Sequence, residues 1–335
     1  MRKHSAKVAV TAVGGGVGQS IVKALQKTEY EVVGVNSEVF GTGLYATKRS
    51  YLGYAAKDSR FIDRLKQICE KEKCAILFPG LDAELAPISK HSDELRTANI
   101  TPIVSDPRVI EICGDKFLTH EFLKNNSFPY PKTYRLREFD NQLDFPLILK
   151  PQKGGHRSIG QFTVGSMKEL ELLSGTIDVD NYVVQEFIEG EEFTCGTVTL
   201  ENKCVGTIIM RRELRNGDTV RAFVVENEEL ASFLRKVINV LKPFGACNVQ
   251  LRIRDGVPYI FELNARCSGT TAARALAGFN EPKMICDYVC KRIQNPVYTI
   301  REIVILRYLK EFVVEYPKID KLAANGHLSN KKVEL

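Results

Sequence analysis

The stretch that decides the fold is Phe261-Glu262-Leu263-Asn264-Ala265-Arg266, preceded by Asn248-Val249-Gln250. Side chains alternate along an extended chain, so Glu262, Asn264 and Arg266 share one face. A carboxylate and an amide oxygen on one face are hard ligands suited to Mg2+. Arg266, at the same period, can reach a phosphate beside such an ion. Read alone, the segment fits an exposed strand edge with charges spaced by two slightly better than a site. Residues 247–254 and 258–264 flank Asp255-Gly256 and read as a hairpin. A two-residue turn would set Gln250 against Phe261. A three-residue loop, 255–257, sets Gln250 against Glu262 and adds its amide oxygen to the metal face. The three-residue loop is expected.

Working outward, residues 145–151 (FPLILKP) form an apolar strand ending on Lys150, a point charge suited to bridging phosphates. The loop Gln152 to Gly160 follows, with Gly154, Gly155, His156 and Ser158 able to close over phosphates. It lacks the GxxxxGK[ST] pattern. Gln185-Glu186-Phe187-Ile188 ends another strand, whose backbone can read an adenine edge, and an acidic run to Glu192 follows. Residues 228–242 are the clearest amphipathic helix. Met210-Arg211-Arg212-Glu213-Leu214-Arg215 brings three arginines to a strand end, and Arg211 is expected to be the one that turns inward.

The ordered set resembles the ATP-grasp superfamily, nearest the synthetase units of the carbamoyl phosphate synthase large subunit. There, too, an NVQ segment precedes a hairpin ending E-x-N-x-R and a small-residue helix, here CSGTTAARALAGFNEP. The resemblance covers about residues 105–295. It implies ATP as cofactor, with Mg2+ or Mn2+. It gives Lys116 and Lys150 as nucleotide lysines, Glu186 and Ile188 as the adenine hinge, and Glu192 as the ribose carboxylate. Gln250, Glu262 and Asn264 become the metal ligands and Arg266 the phosphate-facing arginine; with Lys150, and with Arg211 from the reading of the strand end above, it makes the expected set of catalytic cations. The synthase has two such units and a glutaminase partner. One unit with no glutaminase-like Cys/His pair points instead to a stand-alone carboxylate–amine ligase that forms an amide.

Residues 1–105 alternate strands (7–13, 31–35, 74–79) with helices, the pattern of a Rossmann-like domain. The fold class is therefore α/β and α+β: this domain, then a two-subdomain ATP-grasp fold over 106–295 with its small part at about 127–190. A segment, 296–335, is expected to pack on the ATP-grasp part, with a polar end from about 324 that frays. Gly14-Gly15-Gly16-Val17-Gly18-Gln19 lacks a clean GxGxxG, so close helix–strand packing or acceptor binding is favoured over a dinucleotide. Glu38 is the residue that would touch a ribose if a dinucleotide did bind. Asp82 and Glu84 fall at a strand's C-terminal end and read as helix caps or substrate contacts.

The 335 residues carry a net charge of +6 that is dispersed rather than striped, which argues against a nucleic-acid partner. No run approaches the ~20 apolar residues of a membrane span. The basic-then-apolar start breaks into glycines and reads as a strand, not a leader. Nine cysteines without CxxC spacing read as free thiols in a cytoplasmic setting. Expected partners are small-molecule carboxylate and amine substrates, and a homodimer is compatible with the composition. Two competing readings remain: a non-catalytic ATP sensor, and a nicotinamide-dependent oxidoreductase built on the first domain.

Overall fold

The computed structural model describes residues 6–155, 158–331 and 335. The first domain contains β1 (Lys7–Val10), α1 (Gly16–Leu25), β2 (Glu31–Asn36), α2 (Thr42–Tyr45), β3 (Arg49–Leu52), α3 (Phe61–Glu72) and β4 (Cys74–Phe78). It closes with α4 (Asp82–Lys90), α5 (Ser92–Thr97) and β5 (Thr101–Pro102). The first five strands pair in parallel in the order β3-β2-β1-β4-β5. That is the Rossmann-like arrangement, and it turns the strands' C-terminal ends, with the Gly14–Gly18 turn and Gly80–Asp82, toward the rest of the chain. The glycines there let backbones touch. A Cβ on Gly18 would sit 2.4 Å from the Ala12 carbonyl oxygen, and one on Gly80 would sit 2.1 Å from that of Thr11.

Two connecting helices follow, α6 (Pro107–Gly114) and α7 (Lys116–Asn125). Pro107 takes the first helical position, where a missing N–H costs nothing. Asp115 caps α7 by accepting from the Phe117 and Leu118 amides. The small subdomain is an antiparallel sheet of β6 (Thr133–Arg135), β7 (Leu147–Pro151), β8 (Phe162–Val164) and β9 (Tyr182–Glu186), ordered β6-β9-β7-β8, with α8 (Met167–Ser174) against it.

The large sheet is antiparallel. It holds β10 (Glu191–Leu200), β11 (Lys203–Arg215), β12 (Asp218–Val224), β13 (Gly245–Arg254), β14 (Val257–Asn264) and β15 (Val304–Leu306), ordered β14-β13-β10-β11-β12-β15. The helix α9 (Glu228–Leu241) buries Leu230, Leu234, Val237, Ile238 and Leu241 against one face. Each such side chain contributes ~1.5–3 kcal/mol of burial. The other face is apolar at one end, where α10 (Thr271–Leu276), α11 (Glu281–Lys291) and the first domain share a core with it. At the other end that face is polar and open.

The C-terminal segment departs from expectation. Only β15 joins the large sheet. Residues 298–307 do pack on the ATP-grasp part around it, and beyond them the chain crosses to the first domain as α12 (Tyr316–Asn325) and β16 (His327–Ser329), with β16 adding antiparallel to β3. Residues 322–330 are anchored rather than frayed: Leu322 and Leu328 are buried, and Asn330 donates to the carbonyls of Leu44 and Thr47. Among the described residues no helix is long and apolar enough to cross a membrane.

The hairpin register also differs from expectation in its cause. Asp255-Gly256 is a two-residue turn, with Arg254 opposite Val257 and positive φ at both turn residues. A bulge at Phe261 then shifts the ladder by one, so that Gln250 does face Glu262. The bulge also explains the packing. Ile260 and Leu263, three apart, both enter the α9 core, while Glu262 and Asn264 turn to the open face.

Candidate nucleotide site

A cleft of about 540 Å³ runs between the large sheet, the β7–β8 loop and the C-terminal edge of the first domain's sheet. Nine of the sequence-predicted residues line it: Lys116, Lys150, Gly155, Ser158, Glu192, Gln250, Glu262, Asn264 and Arg266. Gly154 does not line it, but its carbonyl accepts from Lys116 Nζ at 2.7 Å, which ties the loop to α7. His156 lies outside the described residues.

Lys150 stands at the end of β7 and is only 4% exposed. Its Nζ donates to Gln185 Oε1 at 2.8 Å, and Gln185 Nε2 donates to Thr133 Oγ1. Gln185 therefore holds the lysine instead of reading adenine with its side chain. Burial, with Lys116 nearby, pushes the Lys150 ammonium down to about 7, against the pull of Glu262 and Glu192. Burial also lowers Lys116, which Glu262, Asp115 and Asp82 oppose. A phosphate between these two lysines would relieve both.

The β9 end is tied by its side chains. The Glu186 carboxylate accepts from Arg254 Nη1 at 3.0 Å and from the Lys132 amide at 3.1 Å. Arg252 donates to the Ile188 carbonyl and lies 5.2 Å from the Phe187 ring centroid. Gln185, Glu186, Phe187 and Ile188 lie outside the cleft lining.

Arg211 is not the inward arginine. Alternation along β11 sends it to the α9 face of the sheet, where it lies over the Phe223 ring and pairs with Glu191. Arg212 takes the cleft face. Its Nε and Nη2 donate to Glu192 Oε1 at 2.9 and 2.6 Å, and Nη2 also donates to Gln250 Oε1 at 2.6 Å.

Arg266 makes a paired bond to Asp82 across the domain boundary, at 2.8 and 2.6 Å. Asp82 is thus a partner for that cation and not a helix cap. Glu84 does turn back on the start of α4, accepting from the Gly80 amide and from Thr11 Oγ1, and burial pushes its carboxyl up to about 7. Glu38 is exposed and lies outside the cleft lining. Beneath the cleft, Arg274 and Glu281 form a fully buried ion pair at 2.8 Å. Arg274 also donates to Thr194 Oγ1 and Asn248 Oδ1, and both of those residues line the cleft.

Gln250, Glu262 and Asn264 offer one carboxylate and two amide oxygens. Asn264 Nδ2 donates to Glu262 Oε1 at 3.1 Å, so the residues already meet. Among the described residues no group of three or more His, Cys, Asp or Glu could hold a metal. An all-oxygen set with one carboxylate suits Mg2+, which keeps several of its positions for waters and phosphates.

The cleft therefore has lysines at one end, an oxygen set in the middle and the edge of a Rossmann-like sheet at the other. Residues 113–270 match the family model of the ATP-grasp domain, and residues 8–103 match that of the PylC-like N-terminal domain. The chain thus carries an ATP-grasp domain over residues 113–270. It is 26% identical over 268 residues to the carbamoyl phosphate synthase large chain of Thermoplasma acidophilum, covering 70% of this chain and 25% of that protein. It is 27% identical over 175 residues to D-alanine–D-alanine ligase A of Bacillus cereus, covering 46% and 57%. The chain thus spans under two thirds of the length of each. Among solved structures, the ADP complex of purK, N5-carboxyaminoimidazole ribonucleotide synthetase, superimposes with a TM-score of 0.74 at 13% identity, covering 96% of this chain and 85% of the other. An L-amino acid ligase from Bacillus licheniformis does so at 0.66 and 18% identity, covering 86% and 74%.

Proposed function

We propose that this protein is an ATP-dependent carboxylate–amine ligase that uses Mg-ATP and an acyl-phosphate intermediate. The observation that carries the reading is the continuity of one cleft from Lys116 and Lys150, through Glu262 and Asn264, to Gly15, Gly80 and Asp82 of the first domain. The ligase and synthetase names of the relatives support it.

Lys150 and Lys116 neutralise the nucleotide's phosphates, and the 152–161 loop covers them. The hinge at Glu186–Ile188 borders adenine, and Glu192 takes the ribose hydroxyls. Gln250, Glu262 and Asn264 would hold Mg2+, which when bound would supply positive charge to offset the charge passing to ADP. A substrate carboxylate oxygen attacks the γ-phosphorus, forming an O–P bond as the bond to the β-phosphate oxygen breaks and ADP leaves. An amine nitrogen then attacks the acyl carbon, inorganic phosphate departs and the amine loses a proton. Arg266, held by Asp82, faces the transferred group, and Arg212 replaces Arg211 as the second arginine of the cleft. No protein nucleophile is required, because positioning and electrostatics suffice.

The two substrates are small molecules that enter from the first domain's side. Nine unpaired cysteines fit a reducing, cytoplasmic setting. The test is ADP release from ATP over a panel of carboxylates crossed with amines. A pair-dependent signal that Glu262→Ala abolishes supports the ligase. ATP binding with no ADP release for any pair would make the protein a sensor instead. Turnover that needs a nicotinamide and no ATP would make it an oxidoreductase.

A further inference from the structure

Glu192 is fully engaged. Its Oε1 accepts from Arg212 Nε and Nη2, and its Oε2 accepts from Arg252 Nε at 3.2 Å and Nη2 at 3.0 Å. An ionised carboxylate offers about four lone-pair sites, so none is left for a ribose hydroxyl. One arginine must let go before a nucleotide can use this residue.

The two arginines differ in what else they hold. Arg252 also donates to the Ile188 carbonyl at 3.0 Å, which anchors it to the segment leaving β9. Arg212 has its other bond on Gln250 Oε1. That oxygen belongs to the set proposed for Mg2+. A divalent cation among Gln250, Glu262 and Asn264 competes for the same oxygen and repels the guanidinium beside it. With its side chain 10% exposed, Arg212 has little water to screen that repulsion.

We propose that Arg212 is an internal latch: held between Glu192 and Gln250, it stands where a cation would and closes Glu192 to ribose, and binding of the metal–nucleotide complex displaces it toward the transferred phosphoryl group. The latch rests on the reading of the cleft as a Mg-nucleotide site. It makes cation and nucleotide mutually supportive, because each loosens the contact the other must break.

Adenosine without added metal isolates the effect, since it carries the ribose hydroxyls and no phosphate. Calorimetric titration in EDTA should find Arg212→Met binding adenosine roughly tenfold tighter than wild type, the scale of one charge-assisted hydrogen bond. The gain should vanish with 2′,3′-dideoxyadenosine, which has no hydroxyls for Glu192. Gln250→Leu frees the latch at its other end and should give a smaller gain in the same assay, so the idea survives a poorly folded Arg212→Met. If wild type binds Mg-ADP but neither variant gains on adenosine, or dideoxyadenosine gains equally, the latch is wrong and the site stands. If wild type does not bind Mg-ADP, the site reading itself fails.

Discussion

Binding of Mg-ADP at pH 8 should draw a proton from solution, and Lys150 should be where it lands. The lysine is buried, and its own value is pushed down to about 7 by burial and by Lys116. At pH 8 roughly one Lys150 in ten is then charged. A phosphate beside Nζ supplies an opposite charge and returns the group toward the ordinary lysine value of ~10.4. Uptake should therefore approach ~0.9 proton per nucleotide at pH 8 and fall to ~0.1 at pH 6, where the lysine is already charged. The nucleotide adds little at pH 8, because its terminal phosphate titrates near ~6. The assay is calorimetry in buffers of differing ionisation enthalpy, whose slope counts the protons. The sign for stability follows. Folding lowers the lysine's pKa, so its burial penalty is complete below about pH 7 and fades as pH rises toward ~10.4. Lys150→Met should thus gain most in melting temperature on the acid side. A heat of binding independent of buffer at pH 8, or a slope that survives Lys150→Met, would refute the reasoning.

Asp82→Ala leaves the guanidinium of Arg266 without its paired bonds in a site only 10% exposed; kcat should fall at least ~tenfold, with a smaller change in KM for ATP. Gly190 has φ 124°, and a Cβ there would lie 1.9 Å from the Ile253 carbonyl oxygen; Gly190→Ala should cost ~3 kcal/mol or more in urea unfolding. An unchanged midpoint would contradict that packing. Leu263→Ala empties the core beneath the Glu262–Asn264 face and should cost ~2–5 kcal/mol by the same measurement.

Most of the element order was readable from hydrophobic period and turn residues, from β1 through the β13–β14 hairpin. The site was less legible, and two bulges explain why. In β13–β14 the type of turn alone would have set Gln250 against Phe261, and the inserted Phe261 moved it to Glu262. In β10–β11, Leu200 faces Lys203 across a two-residue turn, and the extra Val205 shifts the ladder so that Phe193 meets Arg211. The next residue, Glu192, therefore meets Arg212. Without that shift Arg211 would have been the partner. A bulge leaves no composition signature, because it follows from which apolar side chains can reach the core together. The pairings of Arg252 with Glu192 and of Asp82 with Arg266 were also beyond reach, since each joins distant elements. The C-terminal return to β3 was hidden for a simpler reason: His327–Ser329 is three residues long and mostly polar, and only the waiting sheet edge makes it a strand.

The most direct test of the central claim is calorimetric titration of ADP with Mg2+ into wild type and Glu262→Ala, with circular dichroism to establish that both are folded. Binding to wild type should weaken sharply when Mg2+ is chelated, and binding to the variant should be much weaker and no longer respond to Mg2+. Equal, Mg2+-dependent binding to the two proteins would contradict that claim.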